Sequence, residues 1–73
     1  MASLVANRFR ARLLALRSER GWSQEFAAEK CGLGYKTYQH LEIGVRDNPT
    51  LRTIEKLAKG FGVTISELFN SVG

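Results

Sequence analysis

Apolar positions along the chain recur at helical spacing, and nowhere do they alternate for long enough to make a strand. Near the N-terminus Phe9, Leu13 and Leu16 fall at i, i+4 and i+7, with Arg8, Arg10, Arg12 and Arg17 around them. A second stripe runs through Leu51, Ile54, Leu57, Ala58 and Phe61, and Val63, Leu68 and Phe69 close the far end. Glycine punctuates these segments: Gly21, Gly32, Gly44 and Gly62 each follow a periodic run, where a left-handed cap is wanted. Start signals answer them. Ser23 precedes Gln24-Glu25, Thr50 follows Pro49, and Thr64 with Glu67 three residues later makes a capping box. Pro49 also biases Asn48 away from helix. The pattern predicts an all-α chain of five helices, at about 6–19, 24–31, 35–42, 51–61 and 65–71. Each is too short to persist alone, so packing must hold them together.

With 73 residues there is material for one domain, 1–73, near the lower size at which a chain folds unaided. Hydrophobic residues at 44% and charged ones at 25% argue against disorder. Eleven Lys and Arg oppose seven Asp and Glu, for a net charge of +4. That surplus points to a polyanionic partner, nucleic acid before an acidic membrane surface, although basic residues also serve solubility. A single cysteine, Cys31, excludes an intramolecular disulfide, and with His40 as the one histidine a zinc site is ruled out. No metal or other cofactor is expected. Cys31 reads as a small buried hydrophobe rather than a reactive thiol. The absence of a bilayer-length apolar run or a signal-peptide core sets the expectation of a soluble, cytoplasmic, reduced protein with no membrane partner.

The chemistry concentrates in the second and third helices, which only Gly32-Leu33-Gly34 separates. So short a glycine-containing turn makes two helices cross steeply, which is helix-turn-helix geometry. Ala28 belongs where they cross, and Leu33 drops into the angle between them. In the third helix Tyr38 and Leu41 face inward with Leu33. Tyr35, Lys36, Gln39 and His40 are left on the outer face, all able to hydrogen-bond and none acidic. A helix carrying such a face suits a major groove: Lys36 matches guanine acceptors and Gln39 adenine. Tyr35 suits a thymine methyl or a phosphate, and His40 a base or phosphate later in the helix. Any surface helix has a polar outer face. What separates this one is the turn that precedes it and the basic chain that carries it.

The stretch from Arg12 to Phe69 resembles the Cro and lambda-type repressor helix-turn-helix family, the XRE-like regulators. The residues that carry the resemblance are Arg17, Trp22-Ser23-Gln24, Ala28, Gly32-Leu33, Leu41-Glu42, Gly44 and Asn48-Pro49-Thr50-Leu51. Leu57-Ala58, Phe61-Gly62-Val63 and Leu68-Phe69 continue it. The resemblance implies a compact five-helix lambda-repressor-like domain with its helix-turn-helix core at 24–43. It implies base reading by Tyr35, Lys36 and Gln39, flanked by Thr37 and His40. It also implies backbone contacts from Ser23 and Gln24 at the start of the second helix and from Arg46 and Asn48 in the loop after the third. Arg17 and Glu42 match a structural ion pair. Where the family usually has Leu or Phe at position 27 and a branched aliphatic at 38, this chain has Ala27 and Tyr38. A volume exchange between the two accounts for both, with Phe26 either covering the Tyr38 ring or left exposed.

One helix in one groove reads only a few base pairs, so specificity calls for two copies on a palindromic operator of double-stranded DNA. The resemblance implies dimerisation through the C-terminal region, about 61–73, and of the apolar Ile65, Leu68, Phe69 and Val72 the foremost interface candidates are Ile65 and Val72, with Leu68 and Phe69 belonging first to the core. The expected function is a homodimeric transcription regulator, of the controller type found with restriction–modification operons or of the phage-repressor type. The short chain, with no appended ligand-binding or protease domain, fits a minimal regulator. The alternative is an antitoxin that binds operator DNA and a toxin protein, although the sequence has no obvious tail beyond Val72 to wrap a toxin. One histidine, no Ser–His–acid arrangement and no phosphate-binding glycine loop argue against an enzyme.

Overall fold

The computed structural model describes residues 4–43 and 49–69, with side chains from Arg8 onward. Five helices follow one another: α1 (Leu4–Glu19), α2 (Gln24–Lys30), α3 (Tyr35–Ile43), α4 (Leu51–Phe61) and α5 (Ile65–Leu68). Among the described residues there is no strand. The starts and stops work as the capping signals require. The Ser23 hydroxyl accepts from Phe26 N at 3.0 Å and that of Thr50 from Thr53 N at 3.2 Å. Thr64 and Glu67 form the reciprocal capping box, at 3.0 and 2.9 Å. Gly62 ends α4 at φ +72°, so that Val63 N reaches back to Ala58 O at 2.9 Å. Gly44 lies outside the described residues.

Phe9, Leu13 and Leu16 of α1 are buried against Ala27, Ala28 and Cys31 of the α2 segment, Tyr38 and Leu41 of α3, and Leu57, Ala58 and Phe61 of α4, with Leu68 closing the cluster. Two expected core positions differ. Leu51 is 66% exposed, because it opens α4 ahead of the turn on which Leu57 meets the core. Phe69 is also exposed, although its ring stacks on Phe9 at 5.1 Å between centroids.

Gly60 brings α4 onto the end of α2. A Cβ at this position would stand 2.6 Å from Cys31 Cα and 2.9 Å from Cys31 N, and would also strike Cys31 Sγ. Burial pushes the Cys31 thiol up to about 11, so it stays a neutral core group.

Arginines of α1 and of the turn that follows it cap the ends of other helices. Arg10 Nη1 donates to Ile43 O at 3.2 Å, Arg12 Nε to Glu67 O at 3.2 Å, and Arg20 Nη2 to Phe61 O at 2.6 Å. These carbonyls lie in the last turns of α3, α5 and α4, where the helix has no N–H donors of its own left to satisfy them. The Arg20 guanidinium also sits over the Trp22 and Phe61 rings, which stack on each other at 5.6 Å. Part of the positive surplus is therefore architectural.

Candidate nucleic-acid interface

Cys31 caps α2, Gly32 turns at φ +67°, and Leu33 N returns to Ala28 O at 2.9 Å. The Gly34 carbonyl then accepts the first bond of α3, from Tyr38 N at 3.0 Å. Leu33 packs against the core between the helices, and Ala28 is buried on the α2 side. Tyr38 and Leu41 pin α3 from within. Tyr35, Lys36 and Thr37 are consequently exposed, and Gln39 and His40 half-exposed. Gln39 Nε2 donates to Tyr35 Oη at 3.4 Å, one helical turn back.

The end of α3 is tied to α1 and α2 through a single carboxylate. Arg17 meets Glu42 with both arms of its fork, Nη2 to Oε1 at 2.7 Å and Nε to Oε2 at 2.9 Å. Its remaining arm donates to Trp22 O at 2.9 Å. Gln24 Nε2 donates to Glu42 Oε1 at 3.2 Å, so the first residue of α2 is held against the last turn of α3. The side chains of Arg17 and Glu42 keep only 18% and 5% of their exposure. Burial would raise the Glu42 pKa, but the hydrogen bonds and charge brought by its partners outweigh it and hold the carboxyl below its ordinary value of 4.5.

Tyr38 Oη is close enough to feel Glu42 and Arg17, yet it is buried without a partner in hydrogen-bonding geometry. Its pKa is pushed far above the ordinary tyrosine value, first by burial and then by the neighbouring carboxylate. Tyr38→Phe removes a polar atom that is already unsatisfied. Equilibrium unfolding should find the variant within about 1 kcal/mol of the parent or more stable. A loss of about 2 kcal/mol would mean that the hydroxyl carries a bond to Glu42.

Of the other residues singled out in the sequence, Ser23 is exposed and engaged in its cap. Ile65 and Phe69 are exposed, whereas Leu68 is fully enclosed in the core and has no surface to offer a second subunit. Arg46, Asn48 and Val72 lie outside the described residues. Phe26 does not cover Tyr38: it is exposed and meets Trp22 edge-on at 5.2 Å. No helix among the described residues is long and apolar enough to cross a membrane.

The family model described as "Helix-turn-helix" matches residues 13–68, from the middle of α1 to the end of α5. The chain belongs to the helix-turn-helix family. Among curated relatives, the cryptic phage CTXphi transcriptional repressor RstR of Vibrio cholerae is 45% identical over 60 residues, 82% of this chain and 53% of that one. The chain thus spans about half the length of that repressor. Control protein C.MunI of Mycoplasma sp is 39% identical over 66 residues, 89% of this chain and 88% of its own length. A solved structure, the hypothetical transcription factor NHTF from Neisseria, superposes with a TM-score of 0.84 at 31% identity. That superposition covers 96% of this chain and 78% of the Neisseria chain. The names of these three proteins are those of a transcriptional repressor, a control protein and a hypothetical transcription factor.

Proposed function

We propose that this chain is a sequence-specific, double-stranded-DNA-binding transcription regulator that occupies a palindromic operator as a homodimer. The observation that carries the reading is the outward face of α3. Tyr35, Lys36, Gln39 and His40 form a polar face free of acidic residues on a helix that Tyr38 and Leu41 fix to the core. In this reading α3 enters the major groove, Lys36 and Gln39 read base edges, and Tyr35 and His40 assist them. Ser23, Gln24, Thr37, Arg46 and Asn48 contact phosphates, which position the protein without reading sequence. Arg17 and Glu42 serve the framework. The second copy docks on the exposed Ile65 and Phe69, with Val72 beside them in sequence. The protein works in the cytoplasm, where its operator is. Relatives named as a phage repressor and as a control protein support a minimal regulator.

Selection of binding sites from a random duplex pool tests this reading. The expected product is a palindrome with half-sites about one helical turn, roughly 34 Å, apart. Lys36→Ala and Gln39→Ala should each cost roughly 1–3 kcal/mol on that site and relax the preference at one base position. Arg46→Ala should instead weaken all duplexes alike and lower the salt slope by about one. A pool that yields no enriched sequence would overturn the reading.

A further inference from the structure

We infer that Lys30, Lys56 and Lys59 form a separate phosphate-binding site, which grips the DNA backbone beside the base pairs that α3 reads. The inference rests on α3 being the DNA-reading helix. It starts from an open depression of about 380 Å³ between the end of α2 and α4. Lys30, Cys31 and Gly32 line it from one side, and Lys56, Lys59 and Gly60 from the other. No carboxylate lines it, and among the described residues none of the three lysines is ion-paired.

Three of the chain's four lysines thus share one depression. The arginines are used differently: Arg10, Arg12, Arg17 and Arg20 donate to carbonyls or to Glu42. Much of the positive charge left for a polyanion is therefore gathered here. The end of α2 does not consume it. Cys31 N, Gly32 N and Leu33 N already satisfy Ala27 O, Glu29 O and Ala28 O. Lys56 Nζ reaches Gly32 O at 3.5 Å, which occupies one of its three protons. Lys30 rests over the Phe26 ring and Lys59 is exposed, so both keep donors for an anion.

The position of the cluster identifies the anion. The first helix of a helix-turn-helix crosses the DNA backbone. Gln24, proposed above to meet phosphate, begins α2, and Lys30 ends it about 9 Å away, at about 1.5 Å per residue. The major groove is roughly 12 Å wide, so the two ends of α2 suit phosphates on its opposite walls. Gly32 stands three residues ahead of Tyr35, where α3 begins. The lysines accordingly lie beside the end of α3 that meets base edges, and the phosphates within their reach flank those base pairs.

The test compares the full chain with a Lys30→Gln, Lys59→Gln double variant on the duplex that the parent selects, once thermal unfolding has shown both to be folded. Lys56 is left in place because of its contact with Gly32 O. The slope of log affinity against log salt should fall by about 0.9 if the two lysines share one phosphate, and by about 1.8 if each holds its own. Site selection should return the parent's base preferences unchanged, because phosphate contacts carry no sequence information. Ethylation of phosphates flanking the half-site should impair binding of the parent and no longer affect the double variant. An unchanged slope, or the same set of ethylation-sensitive phosphates in both proteins, would overturn the site. So would binding of inorganic pyrophosphate through these lysines with DNA affinity and slope indifferent to their loss, which would make the depression a site for a free anion. A parent that selects no duplex sequence would instead defeat the DNA-reading assignment of α3, on which the site rests.

Discussion

Replacing Gly60 with alanine should destabilise the fold by about 3 kcal/mol, the upper end of what overpacking costs. Helix propensity predicts the opposite sign. Gly60 lies inside α4 at an ordinary helical conformation, where alanine is intrinsically better by about 1 kcal/mol. The steric term decides the matter. The new Cβ would meet Cys31 Cα at 2.6 Å and Cys31 N at 2.9 Å, and backbone atoms cannot swing aside as a side chain can. Relief requires α2 and α4 to part, which loosens Ala28, Leu57 and Ala58 together. For a domain of this size each kcal/mol moves Tm by roughly 4–8 °C, so thermal unfolding would register the change clearly. A Cys31→Ala change in the Gly60→Ala background removes Sγ but neither of the backbone contacts, and should restore little. Full rescue by Cys31→Ala, or a rise in Tm for Gly60→Ala alone, would show that the helices do not approach as closely as described.

Gly60 illustrates where the amino-acid pattern is informative and where it falls silent. The glycines that cap helices announce themselves by position, after an apolar run and before a polar break, and Gly21, Gly32 and Gly62 all take positive φ. Gly60 sits inside a periodic segment, and its role depends on what another helix brings opposite it. The same distinction runs through the core. Phe9, Leu13, Leu16, Leu57 and Phe61 follow from period alone and are buried. Leu51 belongs to the same period but is exposed, since a stripe says which side of a helix is apolar and not how far along it the neighbours extend.

The candidate site divides in the same way. The split of α3 into Tyr38 and Leu41 inside and Tyr35, Lys36, Gln39 and His40 outside is a matter of helical geometry, and it was legible. The arginines were less so. Net charge counts Arg10, Arg12 and Arg20 as available to a polyanion, whereas each spends a donor on a carbonyl of another helix. That use depends on where the ends of α3, α5 and α4 lie relative to α1, which is tertiary information. Likewise, the C-terminal pattern set Leu68 apart from Ile65 but grouped Phe69 with Leu68 as core, whereas the core encloses Leu68 and leaves Phe69 exposed.

The second large effect is expected at Glu42, where Glu42→Ala should cost about 3–5 kcal/mol, the range for removing one member of a buried ion pair. The loss comes less from the attraction forfeited than from what is left behind. Arg17 would remain largely enclosed with Trp22 O as its remaining acceptor, and Gln24 Nε2 would lose its partner. An Arg17→Met, Glu42→Leu double variant should recover most of the stability, because it leaves no buried charge. Additive losses in that cycle would contradict the pairing. The carboxylate also gives the fold an acid limit with a definite sign. The folded pKa of Glu42 lies below its ordinary value of 4.5, so the unfolded chain binds the proton more readily. The stabilisation is complete above about pH 4.5 and is lost as pH falls through the folded pKa. Denaturant titrations between pH 7 and pH 3 should show this loss in the parent and a shallower one in Glu42→Gln. The consequence for DNA reading follows from the same atoms. Glu42 holds Gln24 against the last turn of α3, so its removal loosens the start of α2, proposed above to contact phosphate, relative to α3, proposed above to read bases. Residual binding by Glu42→Ala, measured where the variant is still folded, should therefore fall on cognate DNA more than on random duplex, since only specific recognition needs both helices in register.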